Sequence, residues 1–256
     1  QNTALASGLS FGNYTVTATD AAGCRDSATV VIGQPTALQV QWQHTDPDCF
    51  GGSDGSAQAT ISGGTTGYTI VWPGQAPGTN PVRQNLSAGS YVVTVSDANN
   101  CTETQTITLL DPPLLSASIT TAPADCNASA TGSAQVTATG GTGSYTFAWS
   151  NGQSGPGALG LAAGAVSVII TDANGCTASA TGMVTEPAAM TLAIAPTDAR
   201  CFAVSDGIAA ATVGGGAGNY TYLWSNGQTG PMASGLAAGA YSLVVTDANN
   251  CSIWEI

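Results

Sequence analysis

Three short stretches of the chain place large apolar residues at every second position and end on a tryptophan. In the first stretch these residues are Tyr68, Ile70 and Trp72, and copies of the pattern lie at 145–149 and 220–224. Side chains of a β-strand point alternately to opposite faces, so this spacing predicts strands with one buried face. Trp72, Trp149 and Trp224 are therefore predicted core residues.

Further strands flank each of these stretches. Small apolar residues alternate just before the first one, at Ala57, Ala59 and Ile61, and paired glycines at 63–64 predict the intervening turn. A later strand places Tyr91, Val93 and Val95 on one face. Each unit thus yields six or seven short strands, which is typical of a β-sandwich.

The approach to the later strand, Leu86-Ser87-Ala88-Gly89-Ser90-Tyr91, resembles the tyrosine corner of immunoglobulin-like sandwiches. The middle copy has Val166 at the tyrosine position and should lack that hydrogen bond. The predicted fold class is therefore all-β, with tandem immunoglobulin-like β-sandwich repeats of about 75 residues.

Cysteines and tryptophans recur with one period. Cys24, Cys101, Cys176 and Cys251 follow Asp-Ala segments and are 77, 75 and 75 residues apart. A second series is Cys49, Cys126 and Cys201. The predicted organisation is the C-terminal part of a preceding repeat at 1–35, full repeats at 36–112 and 113–187, and a repeat at 188–256 whose last strand is truncated. Prolines at the junctions predict short, stiff linkers.

Composition narrows the classes of function. The chain has 3 basic and 15 acidic residues and a net charge of −12, which disfavours binding to nucleic acid through its phosphates. No segment approaches the ~20 apolar residues of a membrane helix. With no lysine and a single histidine, the sequence predicts no enzyme, no catalytic residue and no cofactor.

The cysteines predict an oxidising compartment outside the cell. Two pairings remain open. The favoured one closes a disulfide inside each repeat, Cys49–Cys101, Cys126–Cys176 and Cys201–Cys251. The alternative joins neighbours, Cys24–Cys49, Cys101–Cys126 and Cys176–Cys201. The internal pairing requires that both cysteines of a repeat lie at the same end of its sandwich, so that the loop between Trp72 and Leu86 crosses the sandwich once and not twice.

The recurring aspartates Asp20, Asp97, Asp172 and Asp247 open Asp-Ala turns and are predicted to accept hydrogen bonds from their own backbone two residues later. Calcium is the competing interpretation for other carboxylates. Asp46, Asp48 and Asp54 cluster in one loop, but the repeats supply oxygen ligands unevenly, and a hard cation needs six to eight. We therefore expect at most a weak calcium site there.

The middle repeat brings the markers together, from Asp125-Cys126 through Gly140-Gly141-Thr142-Gly143-Ser144-Tyr145 and Trp149-Ser150-Asn151-Gly152 to Thr171-Asp172-Ala173-Asn174-Gly175-Cys176 and Thr185-Glu186-Pro187. This pattern resembles the SprB-type repeat of giant surface adhesins in gliding Bacteroidota. The resemblance implies secretion by the type IX route, display at the cell surface, and a role in adhesion or gliding motility.

Two functions remain open. The first is a stalk or filament segment of a secreted adhesin, whose partners are neighbouring repeats or other copies in a filament. The alternative is a lectin-like module that grips surface polysaccharide through non-recurring aromatics such as Trp42 or Trp254. Trp42 alternates with Leu38 and Val40, which favours a core position for it.

Overall fold

A computed structural model describes residues 4–256 of the chain, so the first three residues of the predicted 1–35 segment lie outside the description. The described part contains twenty β-strands and no helix, and thus no helix that could cross a membrane. The all-β prediction is confirmed. The chain divides into two compact units, residues 1–111 and 112–256.

The first unit contains a hairpin and one six-stranded repeat. The hairpin is β1 (Gly12–Thr19) with β2 (Arg25–Ile32). The repeat contains β3 (Gln39–Thr45), β4 (Gly55–Ser62), β5 (Thr69–Val71), β6 (Val82–Leu86), β7 (Gly89–Ser96) and β8 (Thr102–Leu109).

The second unit contains two more sets of six strands. The first set is β9 (Ser116–Ala122), β10 (Gly132–Thr139), β11 (Thr146–Trp149), β12 (Gly157–Leu161), β13 (Gly164–Thr171) and β14 (Thr177–Val184). The second set is β15 (Thr191–Thr197), β16 (Gly207–Gly214), β17 (Thr221–Trp224), β18 (Met232–Leu236), β19 (Leu243–Thr246) and β20 (Ser252–Glu255).

Each set of six forms two three-stranded antiparallel sheets. In the first repeat their orders are β3-β4-β6 and β5-β7-β8, and the other two repeats have the same arrangement. The two sheets face each other because each carries apolar side chains on one face only, and burying both faces against one another removes them from water. The result is a small sandwich per repeat.

The core of each sandwich forms around the predicted tryptophan. Trp72, Trp149 and Trp224 are 7%, 4% and 1% exposed. Small side chains from the opposite sheet, such as Ala57 and Ala134, leave room for the indole. Trp42 packs against this core, with its ring edge-on to Trp72 at a centroid distance of 5.4 Å, as the alternation with its neighbours indicates.

The predicted tyrosine-corner hydrogen bond forms at every copy of the motif that has a tyrosine, which are Tyr14, Tyr91 and Tyr241. The hydroxyl of Tyr91 donates to the carbonyl of Ser87 at 2.8 Å, and Tyr241 donates to Ala237 in the same way at 3.2 Å. Tyr14 in the hairpin makes the equivalent bond to Ser10. Each bond runs four residues back, which fixes the start of the strand against the preceding turn.

The chain crosses the sandwich of the first repeat one time more than a simple meander would. After β5 the backbone returns antiparallel to it, since Ile70 and Gly78 exchange backbone hydrogen bonds of 2.7 and 3.0 Å. Only then does β6 run antiparallel to β4. The loop between Trp72 and Leu86 therefore makes two crossings, and the loop before β4 and the turn before β8 lie at opposite ends.

The third repeat has a shorter last strand than the others. Its β20 ends at Glu255, whereas β8 and β14 continue to Leu109 and Val184, which are both 1% exposed. A cleft of about 1010 Å³ lies at the corresponding place, lined in part by Trp224 and Leu236.

Candidate functional site at the junction of two repeats

The second repeat (β9–β14) and the third repeat (β15–β20) meet at a junction that has two sides. The first side is the loop between β9 and β10, which carries Cys126. The backbone of Ser129 donates to the carbonyl of Cys126 at 3.2 Å, and the backbone of Asp125 donates to the hydroxyl oxygen of Thr131 at 2.8 Å. The carboxylate of Glu186 accepts the backbone N–H of Ala128 at 2.7 Å. The loop is thus a closed turn held against the chain that follows β14.

The second side is the turn between β19 and β20, which carries Cys251. One carboxylate oxygen of Asp247 accepts the backbone N–H groups of Asn249 and Cys251, both at 2.9 Å. Its other oxygen accepts the backbone N–H of Ala217 at 2.8 Å. The side chain is 5% exposed, so these three donors replace the water that a carboxylate would otherwise bind.

Hydrogen bonding to the charged form changes the acidity of this aspartate. The backbone N–H of Ala217 is the largest cause that lowers the pKa of Asp247, partial desolvation opposes it, and the bonds from Cys251 and Asn249 lower it further. Asp97 and Asp172 have the same arrangement and lowered pKa values. The predicted aspartate turns are confirmed, and Asp20 in the hairpin makes the same two local bonds.

The glycine pairs explain how the carboxylate reaches a second loop. Gly216 has φ +59°, and a Cβ added there would lie 2.6 Å from a carboxylate oxygen of Asp247. A side chain at this position would therefore displace the aspartate from Ala217. The glycines that sequence reasoning assigned to turns thus also hold the cysteine-bearing turn against the sandwich.

A disulfide joins the two sides. Cys126 in one repeat bonds Cys251 in the next, across 125 residues of sequence and with a Cα–Cα distance of 5.8 Å, which is a common spacing for this bond. The side-chain amide of Asn249 donates to the carbonyl of Asp125 at 2.8 Å beside it. The peptide linker at Pro187 forms the other connection, and a cleft of about 480 Å³ lies between the two.

The favoured internal pairing is wrong. Cys126 bonds Cys251 instead of Cys176, which also leaves Cys201 without the predicted bond to Cys251. Cys101 and Cys201 are free thiols, so the predicted Cys49–Cys101 bond is absent too. The alternative pairing is wrong as well, because each of its three bonds needs Cys24, Cys101 or Cys201, all of which are free.

The extra crossing of the sandwich between Trp72 and Leu86 explains why Cys49 does not bond Cys101. Cys101 immediately precedes β8, whereas the loop of Cys49 is tied to its far end, where the backbone of Gly51 donates to Asp111 at 3.0 Å. Leu110 donates likewise to Asp46 at 2.9 Å. An eight-residue strand spans about 25 Å, far beyond the reach of a disulfide. The two cysteines of one repeat therefore cannot meet.

Opposite ends make the observed bond possible. Successive repeats in the second unit meet end to end, so the first cysteine of one repeat faces the second cysteine of the next. The bond thus ties two sandwiches together in parallel with the peptide linker. Chemically it is a covalent tie that needs two electrons and two protons to open.

The weak calcium candidates take part in backbone hydrogen bonds. Asp46 accepts the bond from Leu110, and Asp54 accepts the backbone N–H of Asp48 at 3.2 Å. Over residues 4–256, no three His, Cys, Asp or Glu side chains are grouped so that they could hold a metal ion. In the third repeat, Asp206 instead pairs with the guanidinium of Arg200 at 2.8 Å.

The aromatic candidates for a lectin site lie apart in the chain and differ in environment. Trp42 packs on the core of the first repeat, and Trp254 on β20 is 66% exposed. Sequence reasoning missed Asn249 and Glu186 at the junction. Their signal was present, since each lies within two residues of a recurring cysteine or linker proline.

One protein-family model matches the chain in three places. The sequence model of the SprB repeat matches residues 43–76, 118–154 and 193–229. These three segments follow the period of the cysteines and tryptophans. No curated protein matches the chain.

Similar solved structures include fibronectin(III)-like modules, immunoglobulin domains and a surface layer protein. The fibronectin(III)-like modules of Clostridium thermocellum CbhA are 13% identical, with 58% of this chain and 94% of that chain covered and a TM-score of 0.26. Dpr2 Ig1-Ig2 in complex with DIP-Theta Ig1-Ig3 is 10% identical, with 86% of this chain and 97% of that chain covered and a TM-score of 0.31. Domains 1–6 of the surface layer protein SbsC are 14% identical, with 96% of this chain and 44% of that chain covered and a TM-score of 0.27.

Proposed function

The chain carries three SprB-type repeats, and we propose that they form a stalk segment of a large secreted cell-surface adhesin. In this role the repeats transmit tension between an anchor and a distal part of the molecule, and they perform no catalysis. The chain is extracellular, where an oxidising environment preserves its disulfides.

The Cys126–Cys251 bond is the observation that supports this proposal. Tension that enters the second repeat through β9 reaches Cys126, crosses the disulfide to Cys251 and leaves through β20. The residues between the two cysteines lie outside this covalent path. Two consecutive sandwiches therefore keep their length even when one of them loosens, which is useful in a stalk and has no use in a freely tumbling module.

The distribution of charge supports a spacer as well. Only 7% of the residues are charged, and the recurring aspartates are occupied with backbone N–H groups of their own turns. Few side chains are therefore left to recognise a charged partner. Over residues 4–256, the ring contacts are those of Trp42 and Tyr91 with Trp72, so the exposed ring of Trp254 has no ring partner there with which to clamp a sugar.

Attachment of the producing cells under flow tests the stalk. Antibodies against the chain should label intact cells. Cells that display a Cys126→Ser protein should attach normally at rest and detach at lower shear than the wild type, because the covalent shortcut is lost. A Leu159→Ser protein is changed at an exposed position, keeps every cysteine and the Cys126–Cys251 bond, and serves as the matched control.

Soluble chain separates the stalk from a binding module. Purified residues 1–256 added in excess should not compete with attachment, because a spacer has no ligand of its own. Competition by the soluble chain, or failure of the antibodies to label intact cells, would contradict the proposal. Competition that Trp254→Ala abolishes would identify the repeats as the sugar-binding part.

A further inference from the structure

Two exposed cysteines repeat the positions of the bonded pair. Cys201 occupies in the third repeat the place of Cys126 in the second, and Cys101 occupies in the first repeat the place of Cys251 in the third. We propose that both are half-sites of the same inter-repeat disulfide. Cys201 bonds the second cysteine of a following SprB-type repeat, and Cys101 bonds the first cysteine of a preceding one. The inference stands whether or not the repeats belong to an adhesin.

The loop of Cys201 already has the conformation of the bonded loop. The backbone of Val204 donates to the carbonyl of Cys201 at 3.3 Å, as Ser129 does to Cys126 at 3.2 Å. The alanine two residues after each cysteine has a positive φ, 62° and 56°, which non-glycine residues rarely adopt. The residue before each cysteine donates its backbone N–H to a side-chain oxygen six residues later. Arg200 donates to Asp206 at 3.0 Å, and Asp125 donates to Thr131 at 2.8 Å.

The turn of Cys101 likewise matches the turn of Cys251. One oxygen of Asp97 accepts the backbone N–H groups of Asn99 and Cys101 at 2.9 and 2.8 Å. The corresponding bonds to Asp247 are both 2.9 Å. The residue before each cysteine has φ 61° and 64°. Both half-sites are therefore formed before a partner arrives, and little ordering is needed on bonding.

The ends of the sandwich determine which cysteine can be the partner. The two cysteines of a repeat lie at opposite ends, so Cys201 cannot bond Cys251 and presents its thiol at the end of the third repeat that faces away from the second. A following repeat that docks there as the third docks on the second brings its own Asp-Ala turn, and hence its second cysteine, to Cys201. The result is one disulfide across every junction.

The bond forms by thiol–disulfide exchange with a small-molecule disulfide such as oxidised glutathione. The thiolate of Cys201 attacks one sulfur of the oxidant, so that a mixed disulfide forms and one small thiol leaves. The partner thiolate then attacks the mixed disulfide at the Cys201 sulfur and releases the second small thiol. Two protein thiols are oxidised, and one disulfide is reduced to two thiols.

An extended chain tests the assignment of Cys201. Residues 251–256 align with 176–181, so a second copy of residues 182–256 placed directly after Ile256 completes the last strand and adds one repeat. The added copy of Cys251 then lies as far from Cys201 as Cys251 lies from Cys126. After refolding with reduced and oxidised glutathione, peptide mapping without reduction should find Cys201 bonded to the added copy of Cys251. Alkylation of Cys201 should fall from stoichiometric in the original chain to background.

The Cys126–Cys251 bond serves as the folding control in the same sample. If that bond forms and Cys201 remains reduced, or pairs with any other cysteine, the proposal is wrong. In an extended chain with Cys201→Ser at the original position only, the added copy of Cys251 should alkylate fully. The native protein provides a second measurement, taken from its cells after thiols are blocked. Cys101 and Cys201 should both be in disulfides there, and their recovery as alkylated thiols would overturn the proposal even if the extended chain failed to fold.

Discussion

The covalent shortcut across two repeats predicts how far the second unit extends under force. Consider residues 112–256 held by handles at both ends. With the Cys126–Cys251 bond intact, only the flanks 112–126 and 251–256 lie on the pulled path. At ~3.4 Å per residue these flanks extend by about 65 Å. The residues between the cysteines, 127–250, remain outside that path, however completely the two sandwiches unfold.

Removal of one sulfur opens the whole loop to extension. In Cys126→Ser, the sequence separation of 125 between positions 126 and 251 adds about 3.3–3.6 Å per residue step, less the 5.8 Å already spanned by the disulfide. The expected gain in contour length is about 410–440 Å. Single-molecule force spectroscopy resolves such a difference directly. Cys201→Ser, which leaves the bond in place, should give the short contour length of the wild type.

Two outcomes would refute this reasoning. Equal contour lengths for the wild type and Cys126→Ser would mean that the bond does not lie on the path of tension. Alternatively, each repeat could close its own loop between two cysteines that are 50 positions apart in sequence. Reduction would then release two separate increments of about 165–180 Å each, one for every sandwich that unfolds.

Three further predictions concern stability, and each is checked by the thermal or urea unfolding midpoint. The buried aspartates Asp97, Asp172 and Asp247 have lowered pKa values, so their stabilising effect is full above the unfolded pKa of 3.8 and is lost as the pH falls through the lower folded pKa. A variant with all three changed to Asn should be less stable at pH 7, and its stability should depend less on pH below 4. Trp149→Ala removes a buried indole whose N–H bonds Gly155 at 2.9 Å, and it should cost about 3–5 kcal/mol, whereas the exposed control Trp254→Ala should change stability by less than about 0.5 kcal/mol. Gly132→Ala would bring a Cβ to 2.5 Å from Val184 Cγ1, so it should cost about 1–3 kcal/mol, and a neutral result would show that β14 yields easily.

Local pattern was enough to predict the strands and their buried faces. Alternation at Tyr91, Val93 and Val95 identified one inward face, and all three residues contribute to the core of the first repeat. The aspartate turns were predictable for the same reason, because their hydrogen bonds run between residues two to four apart. The loss of the tyrosine corner at Val166 was visible in the sequence alone.

Connectivity could not be predicted in this way. The cysteines were visible as a repeating series, but whether Cys49 can reach Cys101 depends on how often the chain crosses the sandwich between them. The decisive crossing is the return past β5, which rests on hydrogen bonds between Ile70 and Gly78. Nothing in the composition of that loop distinguishes a returning segment from a simple turn, because it has few apolar residues and no strict alternation.

The sequence by itself determined that this chain is a series of β-sandwich repeats, because period, alternation and turn residues act over short distances. Only the tertiary structure decided that the covalent bond runs between repeats. Cys126 and Cys251 are 125 residues apart, and they meet because an odd number of crossings places the two cysteines of each repeat at opposite ends. End-to-end stacking then brings the first cysteine of one repeat to the second cysteine of the next.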